Sequence, residues 1–350
     1  MKKAELTVII LILLLFSACQ AFLGSDPENN PIGIFNQLWG DFNRSYALFD
    51  ERLGDKTWSE IGDYYSEQIA PDINNWDLFR LCAQMVNTLN DPHVSLRSPF
   101  RHSSYYLTDQ AGRTGFVRED IQAQLINEGK LAGGEMFLYG RFTSKPTAGY
   151  LHIRKFIDNS GIGLNIVQDW AKEIENIVRE LRDTTDFLIV DVRNNEGGFS
   201  INRLYIASHF VSVPRDYIRV STKNGPGPND FSAPLVKSIR PAQVTYTKPI
   251  VLLTNTWTTS SAEWFTLALL SQDHVTHAGE TTRGSLSARL DRQLVNGWIY
   301  SMSIQRVTTA DGRQVEGKGI SPNREHTIAL SSLDHSYGWD TQLRHALNMF

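Results

Sequence analysis

Three short segments carry residues that could do chemistry together. In VLLTNTWTTSSAEWFTLALL (251–270), an apolar run that reads as a buried strand stops near Thr254, and a helix begins near Ser260. A serine at such a junction stands at the positive end of a helix, where unpaired amides and the dipole favour a developing negative charge. That suits a nucleophile whose substrate forms an oxyanion, but a serine at a helix start is also an ordinary N-cap. RNNEGG (193–198) follows another apolar run. Its paired glycines, Gly197 and Gly198, would let the backbone approach a ligand and present amides to it. They would equally make a tight strand-to-helix turn. LNDPHVSL (89–96) supplies His93 at the end of a helix. With an ordinary pKa near 6.5, histidine is the usual general base at neutral pH. A lone histidine is more often structural, and this chain has nine.

The surrounding pattern suggests what positions these segments. Ile34, Phe35, Leu38, Trp39, Phe42 and Tyr46 recur at helical spacing. A second helix starts at Thr57, where TWSE is a capping box of Thr57 and Glu60. A third runs from about Trp76 to Leu89, with Cys82 on its apolar side as a core residue. These make a small helical domain. Residues 100–146 are mixed and weakly periodic. From Gly149 strands and helices alternate: YLHI, a helix carrying Leu164, Val167, Trp170, Ile174, Ile177, Val178 and Leu181, then FLIVDV (187–192), a helix with Leu204, Ile206, Ala207 and Phe210, PIVLLT (249–254), the helix at 261–270, and VTHAG (275–279). Such alternation predicts an α/β fold around a mainly parallel sheet with crossover helices. KNGPGPNDFSAP (223–234) is a loop by composition.

Composition narrows the function classes. At 350 residues the chain suggests about two domains. A hydrophobic fraction of 41% and a charged fraction of 21% argue against long-range disorder. A net charge of −4 argues against a nucleic-acid partner. Two cysteines exclude a disulfide-dense scaffold and a four-cysteine zinc site. No dense His/Asp/Glu motif suggests a metal, and no cofactor is expected. At the N-terminus, Lys2 and Lys3 precede an apolar run from Leu6 to Phe16, which is shorter than the ~20 residues of a membrane helix. Ser17, Ala18 and Cys19 then resemble the lipobox of bacterial lipoproteins, with Phe16 where an aliphatic residue is usual. That resemblance implies a signal peptide at 1–18, a lipidated Cys19, and a tether at 19–30. It also implies an exported protein on a periplasm-facing bacterial membrane, the outer one being favoured. An ordinary signal peptide with an incidental cysteine is the alternative.

The order of these features is itself distinctive. A helical domain, then L-N-D-x-H, strand-DVRNNxGG, strand-SSAE, strand-GE and EGKGISPN resembles the C-terminal-processing and tricorn peptidase family, in its tricorn-like branch. The resemblance implies a crotonase/ClpP-like β-β-α catalytic domain at 147–350. It also implies a helical-bundle domain at 31–98, a connecting segment at 99–146, and no PDZ domain. The S-x-x-E pattern ending in Glu263 points to Ser260 as nucleophile rather than Ser261 or Thr259. Many members use a lysine base in a G-E-x-x-x-G-K segment. Here that segment reads GETTRGS, so Ser285 stands at the lysine position. His93 is then implied as general base and Glu316 as its orienter, with Asp91 competing for that role. Pro92 replaces the serine that bridges histidine to glutamate in some relatives. The implied oxyanion hole is the amide of Ser261 with that of Gly197 or Gly198. The implied partner is a polypeptide substrate. Two other readings stay open. One is a catalytically inactive member that binds a hydrophobic ligand or peptide. The other is a crotonase-like acyl-CoA enzyme.

Overall fold

The computed structural model describes residues 27–105, 118–157, 166–329 and 340–350. Cys19 and the expected leader lie outside the described residues, as does Leu164. The first helix, Pro31–Ser45, is opened by Asn30, whose side chain accepts the Gly33 amide at 2.8 Å. Its Ile34, Phe35, Leu38 and Phe42 are buried on one stripe. Thr57 and Glu60 form the expected capping box of the helix Trp58–Ser66. Asn74 caps the helix Asn75–Asn87, which buries Leu78, Phe79, Cys82, Met85 and Val86. Burial pushes the Cys82 thiol up to about 12, so it is an inert core group.

These helices do not close on themselves. Strands β1 (Ser95–Arg97) and β2 (His102–Ser104) follow them. Further along come β3 (Lys130–Ala132), β4 (Phe137–Arg141), β5 (Ala148–Ile153), β6 (Phe187–Asp191), β7 (Arg215–Thr222) and β8 (Leu235–Ile239). The last five are β9 (Ile250–Thr254), β10 (Val275–Gly279), β11 (Arg289–Gln293), β12 (Ile299–Ser303) and β13 (Gln305–Thr309). The hairpin β11–β12 returns to pair with β1, in the order β11-β12-β1-β2. Its Trp298, Tyr300 and Met302 complete the helical core. The N-terminal unit, expected as a pure helical bundle at 31–98, therefore borrows two strands from the far end of the chain.

The main sheet runs β10-β9-β6-β5-β4-β3. The four strands β10, β9, β6 and β5 are parallel, and β4 and β3 add antiparallel. Strands β6 and β9 are buried along their whole length, which is why they read as unbroken apolar runs. The helices Ile174–Thr184, Ser200–Ser208 and Ser261–Leu270 cover one face, and the C-terminal helix Thr341–Leu347 packs on the other. The segment expected merely to connect, 99–146, instead supplies β3 and β4 to this sheet. These strands have three and five residues, too few to show a period. Gly134 and Glu135, the central residues of the turn closed by Met136 N on Gly133 O, take positive φ, as primed hairpin turns require. A third sheet, β13-β7-β8, stands beside the 223–234 loop.

One buried cluster lies at the end of β6. Arg193 is wholly buried and bonds both oxygens of Asp191, then Asp340 at 2.9 Å and Gln342 at 3.0 Å. It ties the C-terminal helix to the end of β6, from which the glycine pair emerges.

Candidate active site

Chain geometry brings the ends of β6 and β9 together. They are parallel neighbours, so both turns emerge at the same edge, where ligands commonly bind in open α/β sheets. Asn194 and Asn255 lock the turns to each other. The Asn194 amide donates to Asn255 Oδ1 at 3.0 Å, and Asn255 Nδ2 donates to Asn194 Oδ1 at 2.8 Å. Thr259 N also donates to Asn195 O at 3.0 Å.

Ser260 sits on this edge with φ +57° and ψ −121°, a strained conformation for a residue with a Cβ. Sharp strand-to-helix turns of this sort expose a nucleophilic serine in other hydrolases. The strain is held from one side chain. Glu263 is wholly buried, and its Oε2 accepts the amides of Ser260 at 3.1 Å and Ser285 at 2.8 Å. Its Oε1 accepts the Thr282 hydroxyl at 2.7 Å and the Gly284 amide at 2.6 Å. Burial pushes this carboxyl above its ordinary pKa, and the four donors oppose that shift.

The glycine pair lies against the turn. A Cβ on Gly197 would come within 2.8 Å of Ser261 N and 3.0 Å of Ser260 Cβ. On Gly198 it would come within 2.5 Å of the Phe156 backbone. Only glycine fits either place. The two amides are not equivalent, however. Gly197 N donates to Asn195 Oδ1 at 2.9 Å, so it is already committed. Gly198 N and Ser261 N have no acceptor among the described residues. The Ser261 hydroxyl donates to Gly198 O at 2.7 Å and binds the two segments together. Of the two glycines considered for an oxyanion hole, the free amide belongs to Gly198.

His93 lies beyond the end of the helix Asn75–Asn87, on the turn leading into β1, rather than on the helix itself. Asp91 Oδ1 accepts the His93 amide at 2.9 Å, and the buried Tyr46 hydroxyl donates to Asp91 Oδ2 at 2.9 Å. Asp91 thus fixes the backbone of His93 and not its ring. The ring nitrogen Nδ1 lies 3.3 Å from Ser285 Oγ. Burial, with Arg289 and Arg52 nearby, lowers the His93 pKa, while Asp91 opposes the shift.

Glu316 is buried but makes no hydrogen bond to His93. Its Oε2 accepts the amides of Leu286 at 2.9 Å and Ser287 at 3.0 Å, and its Oε1 faces Arg52 Nη2 at 3.3 Å. Arg52 also donates to Gly284 O at 2.9 Å and Asn90 O at 3.1 Å. Glu316 therefore holds the backbone just after Ser285, and its partner Arg52 holds Gly284 just before it, instead of Glu316 reaching the ring. Burial and the charge of Asp91 push its carboxyl well above the ordinary range, against Arg52. Ser285 is the group that sequence reasoning overlooked. It registered only as a missing lysine, although a hydroxyl at that position is itself a signal.

His93, Gly198, Ser260 and Ser261 all line one cavity of about 1250 Å³. A serine, an imidazole and two open amides around one space can carry out acyl transfer.

Comparisons with known proteins agree with this chemistry. The model of peptidase family S41 matches residues 147–326. The carboxy-terminal processing protease CtpA of Bacillus subtilis (strain 168) is 30% identical over 156 residues, which cover 42% of this chain and 32% of that one. The chain spans about a third of the length of the curated relatives it matches. A candidate peptidase from Parabacteroides merdae ATCC 43184 superposes with a TM-score of 0.80 at 25% identity, covering 92% of this chain and 97% of that one. The tricorn protease shares the fold, with a TM-score of 0.53 at 15% identity over 91% of this chain and 36% of that one.

The Glu263 cluster yields a direct test. In Glu263→Gln an amide NH₂ must face two of the four donors. At about 1–3 kcal/mol for each stranded donor, denaturant unfolding should show a loss of about 2–6 kcal/mol. A loss under about 1 kcal/mol would contradict the role given to this carboxylate.

Proposed function

The chain belongs to peptidase family S41, and from that premise we propose that it is a serine-type endopeptidase with Ser260 as nucleophile and His93 as general base. The observation that carries this reading is the pair of acceptor-free amides, Gly198 N and Ser261 N, beside the strained Ser260 in the cavity that His93 also lines.

In the proposed mechanism, His93 takes the Ser260 hydroxyl proton through Nε2 as Oγ attacks the scissile carbonyl carbon. For that, Nδ1 carries the other proton and donates it to Ser285 Oγ, consistent with their 3.3 Å separation. The carbonyl oxygen becomes an anion between Gly198 N and Ser261 N. One such donor typically contributes about 3–4 kcal/mol to the transition state. His93 then gives its proton to the leaving amine, and the C–N bond breaks to leave a Ser260 ester. Water, deprotonated by the same imidazole, hydrolyses that ester and restores the Ser260 hydroxyl. Glu316 and Asp91 act at one remove: Glu316 holds the backbone just after Ser285, and Asp91 holds the backbone of His93.

A fluorophosphonate probe tests the assignment. It should label Ser260 in the wild type, and Ser260→Ala should lose labelling and lower peptide turnover by at least ~10³-fold. Only neutral His93 can take the proton, and its pKa lies below the ordinary 6.5. Labelling should therefore persist as the pH falls, with its acid midpoint below 6.5. Undiminished turnover by Ser260→Ala, or a midpoint above 6.5, would refute the corresponding step.

We further propose, on the residue order at 1–19 alone, that the protein is exported and anchored through lipid on Cys19 to a periplasm-facing bacterial membrane. The residues at 31–98 and those at 147–350 would then form a tethered enzyme with its site between them. Cys19→Ser should release the protein from washed membranes. If the variant stays in the membrane pellet, the anchor lies elsewhere.

A further inference from the structure

Among the described residues two arginines are buried in the α/β part, and they are treated oppositely. Arg193 is surrounded by Asp191, Asp340 and Gln342. Arg203, on the helix Ser200–Ser208, is only 5% exposed, yet it has no carboxylate partner among the described residues, and the one side chain that hydrogen-bonds it is the neutral phenol of Tyr217. Buried charges are normally paired, because removing one from water is costly without compensation. Burial lowers the Arg203 pKa, and the phenol of Tyr217 is the neighbour that favours its charge.

Arg203 lines the same cavity as Ser260 and His93. Its guanidinium stacks on Trp264, 4.7 Å from the ring centroid. Trp264 is itself held by a hydrogen bond from Nε1 to Leu286 O at 2.7 Å. Stacking occupies the face of the guanidinium and leaves its edge N–H groups for an acceptor in the plane, the geometry that suits a carboxylate. Trp264 lies three residues after Ser261, about 4.5 Å along the helix axis. Both side chains, Arg203 and Trp264, line the cavity that holds Ser260 and Ser261.

The other charged groups lining the cavity do not supply a carboxylate for Arg203. Glu196 pairs with Lys155 at 3.4 Å, and Arg289 pairs with Asp291 at 2.8 Å. Lys237 adds a further half-buried cation. A chain of net charge −4 thus presents a cationic cleft.

We propose that Arg203, stacked on Trp264, is a specificity residue that binds a carboxylate of the substrate in the cavity it shares with Ser260. This rests on the peptidase reading above. The carboxylate can be an Asp or Glu side chain or the peptide's own C-terminus, and the chemistry is the same.

The test is binding, read on inactive Ser260→Ala protein by fluorescence anisotropy. Labelled peptides would carry Glu or Gln at each position in turn, and a C-terminal acid or amide. One acidic position, or the C-terminal acid, should bind about tenfold or more tightly than its neutral counterpart. Adding Arg203→Gln should remove that preference, and Arg203→Lys should keep part of it. Arg203→Gln should melt at or above the parent Tm, because a buried charge with no carboxylate partner has been removed. Equal binding of every acid and neutral pair overturns the proposal on the parent protein alone. So does no peptide binding at all, a preference that survives Arg203→Gln, or a preference lost only together with a large fall in Tm. Turnover of neutral peptides by the wild type without any acid preference would sink this inference and leave the peptidase reading standing. An acid preference in a protein that cleaves nothing would do the reverse.

Discussion

The candidate site depends on one buried carboxylate. Glu263 lies one turn into the helix that Ser260 begins, and it gathers four donors from both sides of the site. Two consequences follow from the same contacts. Ser260 is held at a positive φ it would not otherwise adopt, and the 282–285 segment is drawn against it. That segment carries Ser285 to the His93 ring. A group taken out of water at such cost is stable only while all its donors are present. The nucleophile's geometry and the histidine's alignment are therefore linked through a residue that touches neither reacting atom.

A second constraint joins the two parts of the chain. Arg52, from the N-terminal unit, reaches Glu316, Gly284 O and Asn90 O. Tyr46, from the same unit, fixes Asp91 and so the turn bearing His93. The β11–β12 hairpin, encoded after the nucleophile, packs its tryptophan and tyrosine into the N-terminal core. The base and the nucleophile thus come from units that share one interface and part of one sheet. The N-terminal unit has no complete core of its own.

Much of this was legible from residue pattern, and the rest failed for definable reasons. Long apolar runs such as 187–191 and 250–254 announce strands because both their faces are buried. Capped amphipathic helices such as Trp58–Ser66 announce themselves through Thr57 and Glu60. Strand β11, almost wholly polar and mostly exposed, and the short β3 offer no such period. Within the site, Ser260 and His93 stand out by type and position. The choice of Gly198 over Gly197 depends on where the Asn195 side chain points, which no spacing reveals. The partners of Glu316 proved to be two backbone amides 29 and 30 residues away and Arg52, 264 residues away, contacts that no local spacing reveals. Arg203 stands out only by its lack of a carboxylate partner, and that can be read only once its neighbours Tyr217 and Trp264 are known.

The account's central claim is that Ser260 attacks and that Gly198 N and Ser261 N receive the resulting oxyanion. A crystal structure of the protein treated with a peptidyl boronic acid tests it most directly. The account predicts boron bonded to Ser260 Oγ, with one boron-bound oxygen about 2.7–3.1 Å from both amides. Gly197 N would remain on Asn195. An adduct on Ser261 or any other residue, or a boronate that leaves these two amides empty, would contradict it.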